Sequence, residues 1–181
     1  MPGVEVRPEP LDSPVALRLI AELNAELSLD YPPAQRFHSL DAEEVAEGAG
    51  AFVVLWLDGE PAGCGAVRLL PRDGIPPDRI PPNRILGGGI PPDTIPGEAV
   101  AELKRMYVVP AARGRGLARA ILNTLEDRAA ALGASRVVLE TGDKALAALA
   151  LYQSSGYARV PCFGAYAASP TSICFEKRLA R

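Results

Sequence analysis

The feature that most constrains this chain is a loop of two arginines and two glycines between a strand pattern and a helix pattern. The strand pattern covers residues 100–109, and the loop Arg113-Gly114-Arg115-Gly116 follows Pro110. Apolar residues then recur at helical spacing until Gly133, a natural helix stop. Glycines let the backbone turn tightly, so successive N–H groups converge at the positive end of the helix dipole. This arrangement predicts an anion-binding site suited to a pyrophosphate.

Two well-known phosphate-binding loops do not fit this segment. A Walker A loop requires Gly-Lys-Ser/Thr, which does not occur at this position. A Rossmann fingerprint requires a small residue where this sequence has Arg119. Too little chain follows the loop to build a doubly wound sheet, so the sequence disfavours a dinucleotide-binding fold.

Two segments resemble the signatures of the GNAT superfamily of N-acetyltransferases. Residues 108–117, VVPAARGRGL, are similar to its acyl-CoA pyrophosphate loop, Q/R-x-x-G-x-G/A. Residues 148–157, ALALYQSSGY, are similar to its second signature, A-x-x-L-Y-x-x-x-G-F/Y. The resemblance implies a single α/β domain over residues 1–181. Its mixed, mostly antiparallel central sheet would be flanked by helices and contain a splayed central strand pair.

The resemblance also implies a co-substrate, acetyl-CoA, and the residues that bind it. The pantetheine arm would pair with the strand before the loop, at Tyr107, Val108 and Val109. The pyrophosphate would be held by backbone N–H groups of the loop and first helical turn, namely Arg113, Gly114, Arg115, Gly116, Leu117 and Ala118. Where family members often have an asparagine that touches the cofactor, this sequence has Ala145.

The reaction that the resemblance implies is direct attack of a primary amine on the thioester in a ternary complex. Tyr152 matches the family's usual general acid. A lysine-like amine has a pKa of about 10.4, so a base must remove a proton. Glu102, on the strand beside the thioester, is the candidate base, acting directly or through water. The alternative is that Glu102 pairs with a neighbouring cation such as Lys104 or Arg105.

Two further expectations concern the strand that carries Glu102. A backbone N–H near Val108 would stabilise the oxyanion that forms on the thioester. Strict alternation along the strand places Glu102 on the face opposite Arg105 and Tyr107.

Composition limits the partners. Hydrophobic residues make up 48% of the chain and charged residues 23%, and no apolar run approaches the ~20 residues of a membrane span. No basic and apolar leader follows Met1, so we expect a cytoplasmic protein without a signal peptide. Residues 1–100 carry a net charge of −9 and residues 101–181 one of +6. Unless this clustering is chance, the second half suits an anionic ligand and the first a cationic one.

These observations leave several functions open. The overall charge of −3 argues against nucleic-acid binding. We expect a small-molecule amine as acceptor, with a protein lysine or N-terminus as the alternative. A non-catalytic acyl-CoA-binding module would show the same signatures, and the missing asparagine at Ala145 favours it. The family often dimerises, which makes a homodimer a further expectation.

Cysteine and histidine usage argues against other chemistries. Cys64, Cys162 and Cys174 are odd in number and far apart, and His38 is the only histidine. The sequence therefore predicts no disulfide framework, no metal site and no catalytic dyad of cysteine or serine with histidine. His38 is expected at the surface or in a substrate pocket, and Cys162 and Cys174 as small buried or half-buried residues.

The remaining elements follow from local signals. The order is β α α β β before an insertion and β α β α β β after it, and Asp58-Gly59 predicts a hairpin turn. The insertion at 71–97 is rich in proline and glycine. It predicts either a polyproline-like excursion or a structure with a role, namely a wall or lid beside the site or a subunit contact.

Overall fold

The structure, a computed structural model, describes residues 3–33, 40–70 and 98–180. The predicted insertion at 71–97 and His38 lie outside the described residues. The strands and helices, in chain order, are β1 (Val4–Pro8), α1 (Pro14–Asp30), β2 (Gly50–Leu57), β3 (Glu60–Leu69), β4 (Val100–Val108), α2 (Leu117–Ala131), β5 (Arg136–Gly142), α3 (Leu146–Ser154), β6 (Ala158–Val160) and β7 (Ser172–Arg178).

The seven strands form one sheet in the order β1-β2-β3-β4-β5-β7-β6. Every neighbouring pair is antiparallel except β4 and β5, which are parallel. The predicted mixed, mostly antiparallel sheet is therefore confirmed. The predicted hairpin turn is confirmed as well, since Asp58 and Gly59 have φ of 52° and 87° between β2 and β3.

Helices α1 and α2 cover opposite faces of the sheet. Helix α1 begins where Ser13 Oγ accepts the N–H of Ala16, and its buried side chains pack with Phe52 and Val54. Helix α2 packs its apolar stripe against Val53 and Leu55. Because adjacent residues of one strand point to opposite faces, the two helices divide the core into two layers. We call these sides the α1 face and the α2 face.

The central strands β4 and β5 separate after a short paired stretch. They are in register from Val100 opposite Arg136 to Leu103 opposite Leu139. Strand β4 nevertheless continues to Val108, and β5 to Gly142. This divergence confirms the predicted splayed pair. Among the described residues, one side of β4 beyond Leu103 therefore has no neighbouring strand, so its backbone groups there can bind a ligand.

A bulge in β4 corrects the predicted arrangement of faces. Arg105 has a φ of 59°, and the register with β3 shifts between Cys64 and Ala66. The extra residue reverses the alternation of side chains beyond this point. Tyr107 therefore packs in the α1 layer with Cys64, on the same face as Glu102. The prediction that these two residues lie on opposite faces is wrong.

The cysteines also depart from expectation. A disulfide joins Cys162 and Cys174, so the expectation that these two are unpaired residues is wrong, whereas Cys64 is free and buried. The two are 12 residues apart in the chain, but the antiparallel pairing of β6 with β7 brings Val160 opposite Cys174. Burial raises the pKa of the Cys64 thiol to about 12, which leaves it unreactive.

Candidate active site

A cleft of about 720 Å³ opens where β4 and β5 separate. One wall is β4 from Leu103 to Val108, and the opposite wall is the end of β5 from Glu140 to Gly142. Side chains of α1 and α3 close its sides. The C-terminal end of α1 is fixed across the cleft, because the hydroxyl of Tyr31 accepts the N–H of Lys144 at 2.8 Å. Side chains from both faces of the sheet line the cleft.

The glycine-arginine loop forms one end of this cleft. Gly114 and Gly116 have φ of 75° and 77°, and Gly116 is the N-cap of α2. Among the described residues, no protein acceptor takes the backbone N–H of any residue from Gly114 to Ala118. A Cβ at either glycine would meet no atom within 4 Å. The loop therefore offers converging donors and open space at a helix N-terminus, which fits a pyrophosphate.

The arginines of the loop have different environments. The N–H of Arg113 donates to Pro110 O at 3.3 Å, and its guanidinium contacts Glu26 of α1 at 2.6 Å. Its Nε donates to Val108 O at 2.9 Å. Arg113 therefore ties the loop to α1 and to the end of β4. Arg115 is exposed and has no partner in the part of the chain that the structure describes.

The residues expected to contact the rest of the cofactor lie along the cleft. Tyr107 and Val108 of β4 line it, as do Leu117, Ala118 and Ala145. The N–H of Val109 is already engaged, because it donates to Ala62 O at 2.9 Å. Of the three strand residues expected beside the pantetheine arm, Tyr107 and Val108 therefore have the more suitable positions.

Tyr152 reaches the cleft from the α2 face. Its ring packs against Tyr157 and Phe175, with centroids 5.7 and 6.1 Å away. Its hydroxyl has no hydrogen-bond partner among the described residues. Burial, and secondarily the charge of Glu140, raise the pKa of this hydroxyl above its usual range. Tyr152 therefore holds its proton, as a general acid must.

Glu102 is fully buried and does not line the cleft. Its carboxylate accepts from Arg68 Nε at 2.8 Å and from the Tyr166 hydroxyl at 2.7 Å. The cation that pairs with it is Arg68 of β3, rather than either of the neighbours that the sequence suggested. Arg68 also forms an ion pair with Glu44. Glu102 thus reaches the cleft only through Tyr166, which does line it.

Three residues that were not predicted as catalytic or cofactor-binding residues meet at the α1 side of the cleft. They are Glu140, Lys104 and Tyr166. Glu140 accepts from Ser172 Oγ at 2.6 Å, and burial raises the pKa of its carboxyl. Burial lowers the pKa of Lys104, whose Nζ donates to the Tyr166 hydroxyl at 3.3 Å. The sequence offers one signal for these residues, because Glu140 ends a buried strand pattern. The local sequence around Tyr166 offers none.

Comparison with known proteins assigns the family. The sequence profile of the acetyltransferase (GNAT) family matches residues 18–157. The chain belongs to the GNAT family of acetyltransferases. It is therefore an acyltransferase, with acetyl-CoA as co-substrate. In the described ranges, no group of three or more His, Cys, Asp or Glu side chains is placed to hold a metal ion.

Individual GNAT relatives agree in sequence and in fold. An IAA acetyltransferase of Azospirillum brasilense is 35% identical over 180 residues, covering 99% of this chain and 100% of that protein. The solved structure of a protein assigned as an acyl-CoA N-acyltransferase, from Klebsiella pneumoniae, is 26% identical with a TM-score of 0.69, covering 98% of each chain. A GNAT acetyltransferase of Elizabethkingia anophelis with acetyl-CoA bound shares the fold, with a TM-score of 0.59, 17% identity and coverage of 99% and 100%.

No helix among the described residues is long and apolar enough to cross a membrane.

Proposed function

We propose that this GNAT protein transfers the acetyl group of acetyl-CoA to a primary amine of a small molecule, by direct attack in a ternary complex. The observation that carries the proposal is the cleft between β4 and β5. An anion-binding loop lies at one end of it, and groups suited to acid and base catalysis face it from opposite sides of the sheet. The relative named for IAA supports a small-molecule acceptor.

The donor would enter along the splayed edge of β4. The backbone N–H groups from Gly114 to Ala118 would hold the pyrophosphate, and the pantetheine arm would lie beside Tyr107 and Val108. The thioester would then lie between the two walls of the cleft. A free N–H of β4 near Val108 would then stabilise the oxyanion of the tetrahedral intermediate.

The acid and the base would act from different faces. On β5, Val138 packs in one cluster with Tyr166 on the α1 face, whereas Leu139 packs in another cluster with Tyr152 on the α2 face. Alternation therefore places Glu140 on the α1 face, opposite Tyr152. The amine nitrogen forms a bond to the carbonyl carbon, and Glu140 accepts its proton. The C–S bond breaks as the intermediate collapses, and Tyr152 donates a proton to the thiolate.

Glu102 has a different role in this scheme from the one its sequence position suggests. Its carboxylate is held by Arg68 and Tyr166, so it has no direct access to an amine in the cleft. We assign it to orienting the Tyr166 hydroxyl, which faces the acceptor side. Glu140 replaces it as the proposed base because Glu140 lines the cleft and its pKa is raised by burial.

The proposal is tested by following CoA thiol release with acetyl-CoA and a panel of small amines. Turnover with a small amine and none with peptides bearing a free N-terminus or lysine supports it. Turnover confined to peptides would favour a protein acceptor. Tight acetyl-CoA binding without thiol release from any acceptor would favour a non-catalytic binding module.

Replacing Gly114 by glutamate should weaken acetyl-CoA binding by about 100-fold or more, roughly 2.8 kcal/mol. The new side chain puts bulk and negative charge into the open space where the phosphates are proposed to bind. Calorimetric titration with acetyl-CoA measures the effect. Gly133→Glu is the matched control, because Gly133 has a φ of 84° and lies at the far end of α2, about 22 Å away. Equal affinity of both variants for acetyl-CoA would show that its phosphates do not bind at this loop.

Tyr152→Phe should lower kcat by about 10- to 100-fold and leave the acetyl-CoA dissociation constant unchanged. The loss is at the low end of the usual range for proton transfer because a thiolate is already a fair leaving group. The substitution keeps the ring contacts with Tyr157 and Phe175, and it removes no protein hydrogen bond. Steady-state kinetics with a thermal melt as the folding control measure it. An unchanged kcat would reduce Tyr152 to a packing residue.

A further inference from the structure

Arg105 is a cation on the wall of the cleft that lacks a carboxylate partner. Among the described residues, no acidic side chain lies within 4 Å of its guanidinium. Its Nη1 donates to Asn24 Oδ1 at 2.9 Å, while its Nε is buried with no hydrogen-bond partner. The other two arginines that line the cleft differ, since Arg113 is paired with Glu26 and Arg119 donates to Ser154 and Ser155. A buried N–H of a guanidinium that stays unpaired is costly unless a ligand satisfies it.

The backbone at Arg105 is held in a conformation that arginine rarely adopts. Its φ is 59°, a region that costs a residue with a Cβ roughly 1 kcal/mol or more. The bulge that contains this strain places Arg105 beside Lys104 on the α1 side of the cleft. Lys104 likewise has no carboxylate within 4 Å in the described part of the chain. Two adjacent cations thus face the place where the acceptor is proposed to bind.

We infer that Arg105 binds a carboxylate of the acceptor, so that the substrate class is amines that also carry a carboxylate, such as amino acids. This inference rests on the proposed function and specifies its acceptor. The register of β4 with β5 at Leu103 and Leu139 puts Arg105 about one residue further along the strands than Glu140, roughly 3 Å, and both residues line the cleft. A carboxylate on Arg105 would therefore leave a nearby amine within reach of Glu140.

The phosphates of acetyl-CoA are the other anions that Arg105 could bind, and its position argues against them. The loop from Gly114 to Ala118 leads into α2 on the opposite face of the sheet. Arg105 instead contacts Asn24 of α1 and lies four residues before Val109, about 13 Å along the strand. Its anion would thus lie on the acceptor side of the cleft.

The test compares acceptors that differ only in the carboxylate. For wild type, kcat/KM should be higher for an amino acid than for its amide by about 10- to 100-fold, the value of one charge-assisted hydrogen bond in a binding site. Arg105→Gln should abolish this preference by raising KM for the amino acid. The kcat/KM for the amide and the dissociation constant of acetyl-CoA should stay unchanged. Arg18→Gln makes the same charge change on α1 outside the cleft and should keep the preference.

Three results would overturn the inference. The first is equal turnover of amino acid and amide by wild type, a comparison that requires no variant to fold. The second is an equal loss for both acceptors in Arg105→Gln, which would make the residue structural. The third is weakened acetyl-CoA binding in that variant, which would assign Arg105 to the donor. Absence of thiol release with every amine would instead overturn the proposed function and the inference together.

Discussion

Glu140→Gln should lower kcat/KM by about 10²- to 10⁴-fold, the usual value of proton transfer by a positioned side chain. The acceptor amine is mostly protonated at neutral pH, and glutamine keeps the size and polarity of the residue but cannot accept the proton. Ser172 Oγ can still donate to the amide oxygen, so we expect little change in stability. Initial rates of thiol release across acceptor concentrations measure the effect.

The pH profile separates Glu140 from Glu102. A base must be deprotonated to act. In a plot of kcat/KM against pH, the acidic limb therefore rises with pH through the pKa of the base. Burial raises the pKa of Glu140, which moves that limb above the ordinary range of a carboxyl near 4.3. The limb should disappear in Glu140→Gln and persist in Glu102→Gln. The reverse result would return the role of base to Glu102, acting through Tyr166.

Patterns among residues adjacent in the chain were sufficient to predict much of the fold and the cofactor-binding half of the candidate site. The turn at Gly114 and Gly116, the start of α2 and the position of Tyr152 on α3 are set by residues adjacent in the chain. A tight turn with positive φ followed by an apolar helical stripe leaves few alternatives. The splayed pair and the mostly antiparallel sheet came from the resemblance to a family, because strand pairing over long separations leaves no local pattern.

The other half of the site is made by contacts across strands and could not be predicted locally. Arg68 reaches Glu102 from the neighbouring strand, 34 residues away, and Tyr166 reaches it from 64 residues away. The bulge at Arg105 is equally invisible, because strict alternation is the default for a strand and nothing nearby predicts an arginine at positive φ. The disulfide depends in the same way on the pairing of β6 with β7.

Arg68→Met should lower the free energy of unfolding by about 3 kcal/mol, near the lower end of the range for removing one partner of a buried ion pair. Glu102 is fully buried and would keep its carboxylate without the guanidinium that compensates it. Tyr166 still donates to that carboxylate, and the positive charge of Lys104 is close enough to interact with it, which limits the loss. For a chain of this size the melting temperature should fall by about 6–12 °C. Denaturant unfolding followed by circular dichroism measures the free energy directly.

The double variant Arg68→Met/Glu102→Gln identifies the cause of that loss. Glutamine removes the stranded charge and still accepts the Tyr166 hydroxyl, so most of the stability should return, as it does when buried pairs are replaced by uncharged groups. Arg18→Met is the surface control, since its ion pair with Glu22 is about half exposed and should change stability by less than about 1 kcal/mol. A double variant as unstable as the single one would show that Arg68 acts through packing. The buried pair would then have no electrostatic part in holding Tyr166 at the cleft.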